Sequence, residues 1–375
     1  MSRLSRYQFE LATTADDSEL RQLLSVTPMD GNVSVSFRRE PSYFEAAVVE
    51  GGFQQVIVCR DREANRIAGF GSRSVRARYV NGRSAPIGYL GNLRALPRYR
   101  NLGLVARGYA FLKQLHADGR AKLYLTSIAQ GNARAQSILT SGRAGLPSYS
   151  FAGNYHTMAI PMLRRFRHRN HLQRSIEVRA ATNDDLPMVL GFLNAIGPGR
   201  QFFPHYQAEE FSRPHSTFKD LRPSDLLLAF RNSRLVGALA GWDQSRFRQS
   251  VVEDYAPGLR RARPLYNLWA GIRGMPKLPK PGERIHYLVG ALPIVQDYDR
   301  DVFEVLLQNL MARSTPGPPG YLMIGLHESD PLLPVAAPYA LQHYLTRLYL
   351  VVWDDGDDFR QQLDGRPVYL ELGCL

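Results

Sequence analysis

The chain has 375 residues, 44% of them hydrophobic, so a folded protein with more than one ordinary core is expected and two domains are the natural division. Its formal charge is +13, from 47 basic against 34 acidic residues, and the basic residues are mostly arginine, which suits anionic partners such as phosphates or acidic proteins. Because these arginines are scattered through both halves instead of gathered in one tail, a nucleic-acid partner is not favoured. Two cysteines, Cys59 and Cys374, exclude a disulfide framework or a thiolate metal cluster and fit a reducing cytoplasm. No signal-peptide core opens the chain. Nowhere do about 18 apolar residues run uninterrupted, so no membrane span is expected.

In chain order, "FELATTADDSELRQLL" from Phe9 reads as a short strand, a Thr cap with Asp in the first turn, and a helix. "FRREPSYF", Phe37 to Phe44, follows, then the hairpin "QVIVCRDREANRIAGFGSRSV" from Gln55 and the strand "IGYLGNLRALP" from Ile87. "LVARGYAFLKQLH" is an amphipathic helix with Leu104, Val105, Tyr109, Leu112 and Leu115 on one face. The strand "KLYLTSIA", the helix "NARAQSIL" and the closing strand "YHTMAIPM" complete the series. The basic run Arg164 to Arg174 then reads as a linker.

The series starts again at Ile176 with "IEVRAATNDDLPMVLGFL" and continues through the hairpin "LLLAFRNSRLVGALAGWD", the strand "IHYLVGALPIV" from Ile285, the helix "DVFEVLLQNLMA" and the strand "YLMIGLHE". A helix over "PYALQHYLTRL" and a closing strand "LYLVVW" are expected at its end. The second copy also carries an insertion at 244–284, expected to be a helix and a Pro-rich loop. The predicted organisation is therefore 1–163, a linker at 164–175, and 176–375, with each copy's last strand closing its own sheet.

One joint differs between the copies. In "LPRYRNLGLVARGYAFLKQL", Arg100, Asn101, Leu102, Gly103, Leu104 and Val105 lie between a strand and a helix N-terminus, where unpaired amides, a close-approaching glycine and an arginine would receive a diphosphate. The counterpart "VQDYDRDVFE" has Asp297, Asp299 and Asp301 and no glycine, so it would repel one.

This loop and the order of elements resemble the GNAT superfamily of acyl-CoA-dependent N-acyltransferases, with its pattern Arg/Gln-x-x-Gly-x-Gly/Ala. Arg100 and Gly103 match, and Val105 departs from the final small residue. The resemblance covers Phe9 to Ile160, and the second copy by topology alone. It implies a mixed α/β (α+β) fold of two tandem domains, each a mostly antiparallel sheet with a splayed strand pair flanked by helices, the second one degenerate. It implies transfer from acetyl-CoA or another acyl-CoA to a small-molecule or peptide amine by direct attack; no metal is expected, because His286 and His327 have no ligand-spaced partner. Leu93, Arg94 and Ala95 would pair with the pantetheine arm, and Asn132 with Ala135 matches the family's "N-x-x-A", although an Asn there also simply caps a helix.

The family's usual Glu and Tyr are missing, with Leu139 at the Tyr position. Asn92 and Tyr89 on the strand before the loop are the catalytic candidates, followed by Tyr149, Tyr155 and His156. The acceptor would meet Arg38, Arg39, Glu40 and Tyr43, residues that also fit a solvated turn. In some tandem relatives the final carboxylate enters the first domain's site as the base, a role open to Leu375, although a strand closing the second sheet fits the same residues. Acyl carrier protein as donor, and a catalytically silent acyl-CoA-binding or scaffold protein, are the alternatives.

Overall fold

Thr13 and Thr182 open the two halves in the same way. Each accepts a turn from an Asp three residues on, whose carboxylate takes the Thr main-chain N–H at 2.8 Å (Asp16 and Asp185), a reciprocal cap that starts a helix. In the computed structural model, which describes residues 6–100, 102–143, 145–162, 175–212, 216–313 and 320–375, the first half contains β1 (Tyr7–Leu11), α1 (Asp17–Ser25), β2 (Val33–Arg38), α2 (Tyr43–Ala47), β3 (Phe53–Asp61), β4 (Arg66–Val80), β5 (Arg83–Ala95), α3 (Leu104–His116), β6 (Leu123–Ala129), α4 (Ala133–Leu139) and β7 (Ser148–Pro161). The second contains β8 (Glu177–Ala180), α5 (Leu186–Ile196), α6 (Glu209–Ser212), β9 (Leu226–Arg231), β10 (Arg234–Trp242), β11 (Gln249–Tyr255), α7 (Pro257–Arg273), β12 (Tyr287–Val295), α8 (Arg300–Met311), β13 (Tyr321–His327), α9 (Leu333–Ala336), β14 (Gln342–Val352) and α10 (Asp357–Gln361). The expected linker lies outside the described residues except for residue 175.

All strands but β2 and β11 join one 12-stranded sheet in the order β1-β3-β4-β5-β6-β14-β7-β13-β12-β10-β9-β8. The order departs from the expectation that each copy closes its own sheet. β14, the last strand of the second half, pairs with β6 and β7 of the first, and β7 pairs with β13. The halves exchange their final strands, which leaves no sheet edge at the seam.

A second correction concerns "PYALQHYLTRL". Its helix stops within the short turn 337–339, and from Gln342 the chain is strand, because this segment is hydrogen-bonded on both sides and the sheet overrides a sequence compatible with either period. A third concerns the insertion 244–284. It contains strand β11 as well as helix α7, and β11 pairs with β2 in a separate two-stranded sheet that ties it to the first half.

The core follows this continuity. Ala46, Val49 and Tyr79 of the first half share one buried cluster with Phe203, Phe218, Trp242, Phe247 and Tyr369 of the second. Helix α8 packs Val302, Leu306 and Leu310 onto β9, β10 and β12, and glycines let it come close: a Cβ at Gly237 would lie 2.8 Å from Val302. Across the β7–β13 seam, a Cβ at Gly325 would overlap the buried Tyr155 hydroxyl.

If the seam makes one cooperative unit, Gly325→Ala will cost about 1–3 kcal/mol by overpacking and will shift a single urea-unfolding transition of the full chain. Two separable transitions, only one of them moved, would show that the halves are stable independently.

Candidate functional site

Strands β5 and β6 run parallel but are in register only at Gly88 with Tyr124 and Tyr89 with Leu125. A side chain at Gly88 would overlap the Tyr124 ring, so the glycine is what lets the two strands meet there. Beyond that point they part, with the Thr126 hydroxyl bonded to the Leu90 carbonyl at 2.7 Å and the Tyr89 hydroxyl 2.7 Å from Ser127 Oγ. Burial pushes the Tyr89 phenol above its ordinary pKa.

Past the parting point, β5 bulges. Its register against β4 shifts between Phe70 and Ser72, and Asn92 there adopts φ 56°, a left-handed conformation that asparagine tolerates better than most residues. The same bulge recurs in the second half at Leu292, φ 53°, where β10 and β12 shift register. Matching Ile87 to Ile285 in sequence sets Asn92 against Gly290, so the structural correspondence to Leu292 slips that alignment by two residues.

The two bulges are occupied differently. The Leu292 amide donates to Glu371 Oε2 at 2.9 Å, a carboxylate brought by the chain's last segment. At the first bulge, the Asn92 side chain donates to Ser72 Oγ at 2.9 Å and accepts from Arg39 Nη2 at 3.2 Å. Arg39 also pairs with Glu50, which accepts from Arg248 Nη2 at 2.9 Å and from Asn92 Nδ2 at 3.4 Å. Arg248 Nη1 in turn donates to the main-chain oxygen of Leu375 at 2.8 Å. Leu375 packs in the same cluster as Tyr89 and Leu125. Residues from both halves thus converge on Asn92.

Several donors in this network have no protein acceptor. Arg39 Nη1, the Tyr43 hydroxyl, Arg94 Nε and Arg248 Nε are buried without a hydrogen-bond partner, and such groups are costly unless something else satisfies them. The Arg39 guanidinium lies 4.5 Å from the centre of the Tyr43 ring, and burial raises the Tyr43 phenol. Burial, reinforced by Arg100 and Arg39, pushes the Arg94 guanidinium below its ordinary value. Neither Arg94 nor Arg100 has an ion-pair partner among the described residues.

From Ala95 the chain passes through a single turn at Pro97–Tyr99 to Gly103, which takes φ 70° as the N-cap of α3. Gly103 has no side chain to cap that helix and no acidic residue lies in its first turn, so among the described residues no carboxylate of its own first turn meets the leading amides. Leu102 is exposed, whereas Leu104 and Val105 are partly buried and pack against two different core clusters. Asn101 lies outside the described residues. At the matching joint, Asp299 caps α8 and accepts from Asp301 N–H at 3.0 Å and Val302 N–H at 3.1 Å. Burial alone would raise the Asp299 carboxyl, but those amides and Arg231 outweigh it and hold it low.

No protein-family model and no curated protein sequence matches this chain. Among solved structures, N-myristoyltransferase of Saccharomyces cerevisiae with bound myristoyl-CoA superposes at TM-score 0.58 over 99% of this chain and 86% of its own, with 10% identity. The GCN5-related glucosamine N-acetyltransferase region of a fungal multi-domain GH3 β-N-acetylglucosaminidase gives 0.58 over 92% of this chain and 38% of that one, with 13% identity. The chain has the fold of the GCN5-related N-acyltransferases. Within this fold the large, mostly antiparallel sheet with flanking helices is the shared feature.

The remaining residues singled out in the sequence are dispersed over that fold. Leu93 is exposed, and Ala95 pairs with Gly69 just before the loop. Asn132 caps α4 by accepting from Ala135 N–H at 3.0 Å. Arg38 pairs with Glu253 at 2.8 Å and Glu40 with Arg21, so of the segment 37–44 only Arg39 and Tyr43 join the Asn92 network. Tyr155 is fully buried and donates to the Leu370 carbonyl at 3.0 Å. Tyr149 shares its hydroxyl with Tyr109, and His156 on β7 packs near His343 on β14, its pKa lowered by burial. Glu50, Ser72 and Arg248 carry no sequence signal of their own. Their partners lie too far along the chain for spacing to connect them.

The loop is anchored from behind by Asp61, which is fully buried and accepts from Arg6 at 2.8 Å and from the Tyr99 hydroxyl at 2.9 Å. Arg6 first, then Tyr99, hold this carboxyl well below the usual range despite its burial. A depressed carboxyl stabilises the fold above its unfolded pKa of about 4, and the contribution fades as pH falls towards the folded value. Asp61→Asn is therefore expected to lower the melting temperature at pH 7, with the gap to wild type narrowing from pH 5 to pH 3. A gap that stays constant or widens over that range contradicts this role.

Proposed function

We propose that the protein is an acyl-CoA-dependent N-acyltransferase with a single donor site, in the first half. The observation that carries the reading is the contrast between the two helix starts: α3 has uncapped amides behind Gly103, with Arg94 and Arg100 unpaired nearby, whereas α8 has its amides taken by Asp299. An anion with phosphate oxygens suits the first and is repelled by the second. Support for acyl-CoA over other phosphates comes from the fold and from the parting of β5 and β6 directly in front of that helix.

Acyl-CoA supplies an activated thioester carbon. In this reading the first-turn amides of α3 with Arg100 hold the phosphates, and β5 from Leu93 to Ala95 aligns the arm by main-chain bonding. Asn92, fixed by Ser72 and Arg39, orients the acyl carbonyl at the bulge, where preorganised donors count most as negative charge develops on oxygen. Glu50 is already paired with Arg39 and Arg248, which assigns it to positioning. The amine nitrogen attacks the thioester carbon as the C–S bond breaks, its proton passes to water, and CoA leaves as a thiolate that takes a proton from water; Arg248 holds the Leu375 main-chain oxygen beside this network. The acceptor is an amine on a small molecule or peptide. The short acetyl group is the donor proposed first, with longer acyl chains as the comparison.

Gly103→Asp places a carboxylate at the start of α3, where α8 has Asp299. It is expected to weaken acetyl-CoA binding at least about tenfold, or about 1.4 kcal/mol, while Asp299→Ala leaves that binding unchanged; calorimetric titration separates them. Equal affinities in all three proteins would overturn the site. Asn92→Ala should cut release of free CoA in the presence of an amine pool at least about tenfold while leaving acetyl-CoA binding intact. Unchanged turnover would remove Asn92 from the mechanism, and binding without any turnover in the unmodified protein would leave a binding protein and not an enzyme.

A further inference from the structure

Helix α7 carries an apolar stripe that the fold leaves on the outside. Leu265, Leu268, Trp269 and Ile272 follow the spacing i, i+3, i+4 and i+7, so they share one face, and they are 73%, 65%, 44% and 79% exposed. Single exposed apolar residues are ordinary; four on one helix face form a patch that a monomer rarely leaves uncovered.

The opposite face of α7 is tightly held. Ala270 is fully buried, Asn267 exchanges bonds of 3.0 and 2.8 Å with the main chain of Leu278, and Arg263 donates to the Pro279 carbonyl at 3.0 Å. The preceding strand β11 is bonded to β2. The helix is thus fixed in an orientation that presents the stripe outward.

Charge identifies what would cover it. The sequence of α7 contains no Asp or Glu, and Arg261, Arg273, Lys277, Lys280 and Arg284 around it are exposed with no ion-pair partner among the described residues. The nearest carboxylates are engaged: Asp254 pairs with Arg260, and Glu283 accepts the Lys280 N–H at 2.6 Å. A second copy of the chain would bring the same cations face to face. A surface that is apolar beneath and anionic on top has the complementary order, and a tryptophan beside leucines suits the boundary between them.

We propose that α7 is an interfacial anchor that lies flat on an anionic phospholipid bilayer, with Leu265, Leu268, Trp269 and Ile272 among the upper acyl chains and the five unpaired cations at the headgroup phosphates. The contact is peripheral, since no helix among the described residues is long and apolar enough to cross a membrane. The inference is independent of the acyl-CoA reading.

Trp242 and Trp353 are buried, so Trp269 is the tryptophan whose emission reports on this face. With the full chain and vesicles of phosphatidylglycerol, we expect a blue shift of tryptophan emission together with co-sedimentation, both reversed by salt. Binding to pure phosphatidylcholine vesicles should be at least tenfold weaker. Leu268→Glu with Ile272→Glu should reduce sedimentation at least tenfold without moving the melting temperature, and Trp269→Phe should remove the blue shift while retaining sedimentation. No shift or sedimentation of the wild-type chain with phosphatidylglycerol would overturn the proposal, as would equal binding to phosphatidylcholine. A blue shift that grows with protein concentration in the absence of vesicles would also overturn it, by assigning the stripe to a second copy.

Discussion

The insertion of β14 between β6 and β7 governs the rest of the molecule. β6 forms one wall of the parting in front of α3, and β14 is paired along its whole described length, so the second half's final strand buttresses the first half's candidate site. The segment after β14 is then carried back across the seam, where Leu370 accepts from Tyr155 and Leu375 from Arg248. Without the exchange Leu375 would have no reason to lie near Asn92, whereas Arg248 is brought there by the pairing of β11 with β2.

The same segment explains why the halves are unequal. Glu371 is buried, its pKa raised by that burial even though Tyr369 and the Leu292 amide bond to it, and it fills the second bulge with a carboxylate from within the chain. Asp299 does likewise at the neighbouring helix start. Three main-chain donors, the Leu292, Asp301 and Val302 amides, are thereby taken up by internal hydrogen bonds. In the first half the corresponding positions hold Asn92 and Gly103, and the donors around them are left with unsatisfied capacity. Buried ion pairs such as Arg39–Glu50–Arg248 are weak sources of stability because desolvation offsets attraction. Their contribution here is better understood as fixing the orientation of Asn92.

What could be read from the sequence is what local chemistry writes. The duplication was legible because Thr13 and Thr182 with their Asp partners, and the polar turns of the hairpins, are short-range signals. The contrast between the two helix starts was legible because Gly103 and Asp299 act within one turn. The strand exchange was not, because the choice of pairing partner depends on the whole sheet and "QHYLTRL" satisfies either period. Glu50 and Arg248 were hidden for a related reason: each is an ordinary charged residue until the fold brings it to Asn92. The two-residue slip in aligning β5 with β12 arose because a bulge is set by backbone geometry, and Asn92 and Leu292 share no side-chain feature that marks it.

One bulge and helix start keep unsatisfied donors, and their counterparts in the second half spend theirs on internal bonding. Calorimetric titration of the unmodified chain with acetyl-CoA and with a long-chain acyl-CoA measures this through the stoichiometry. Saturable binding of one equivalent per chain is expected for at least one of these donors; two equivalents, or no binding of either, would overturn the proposal of a single site in the first half.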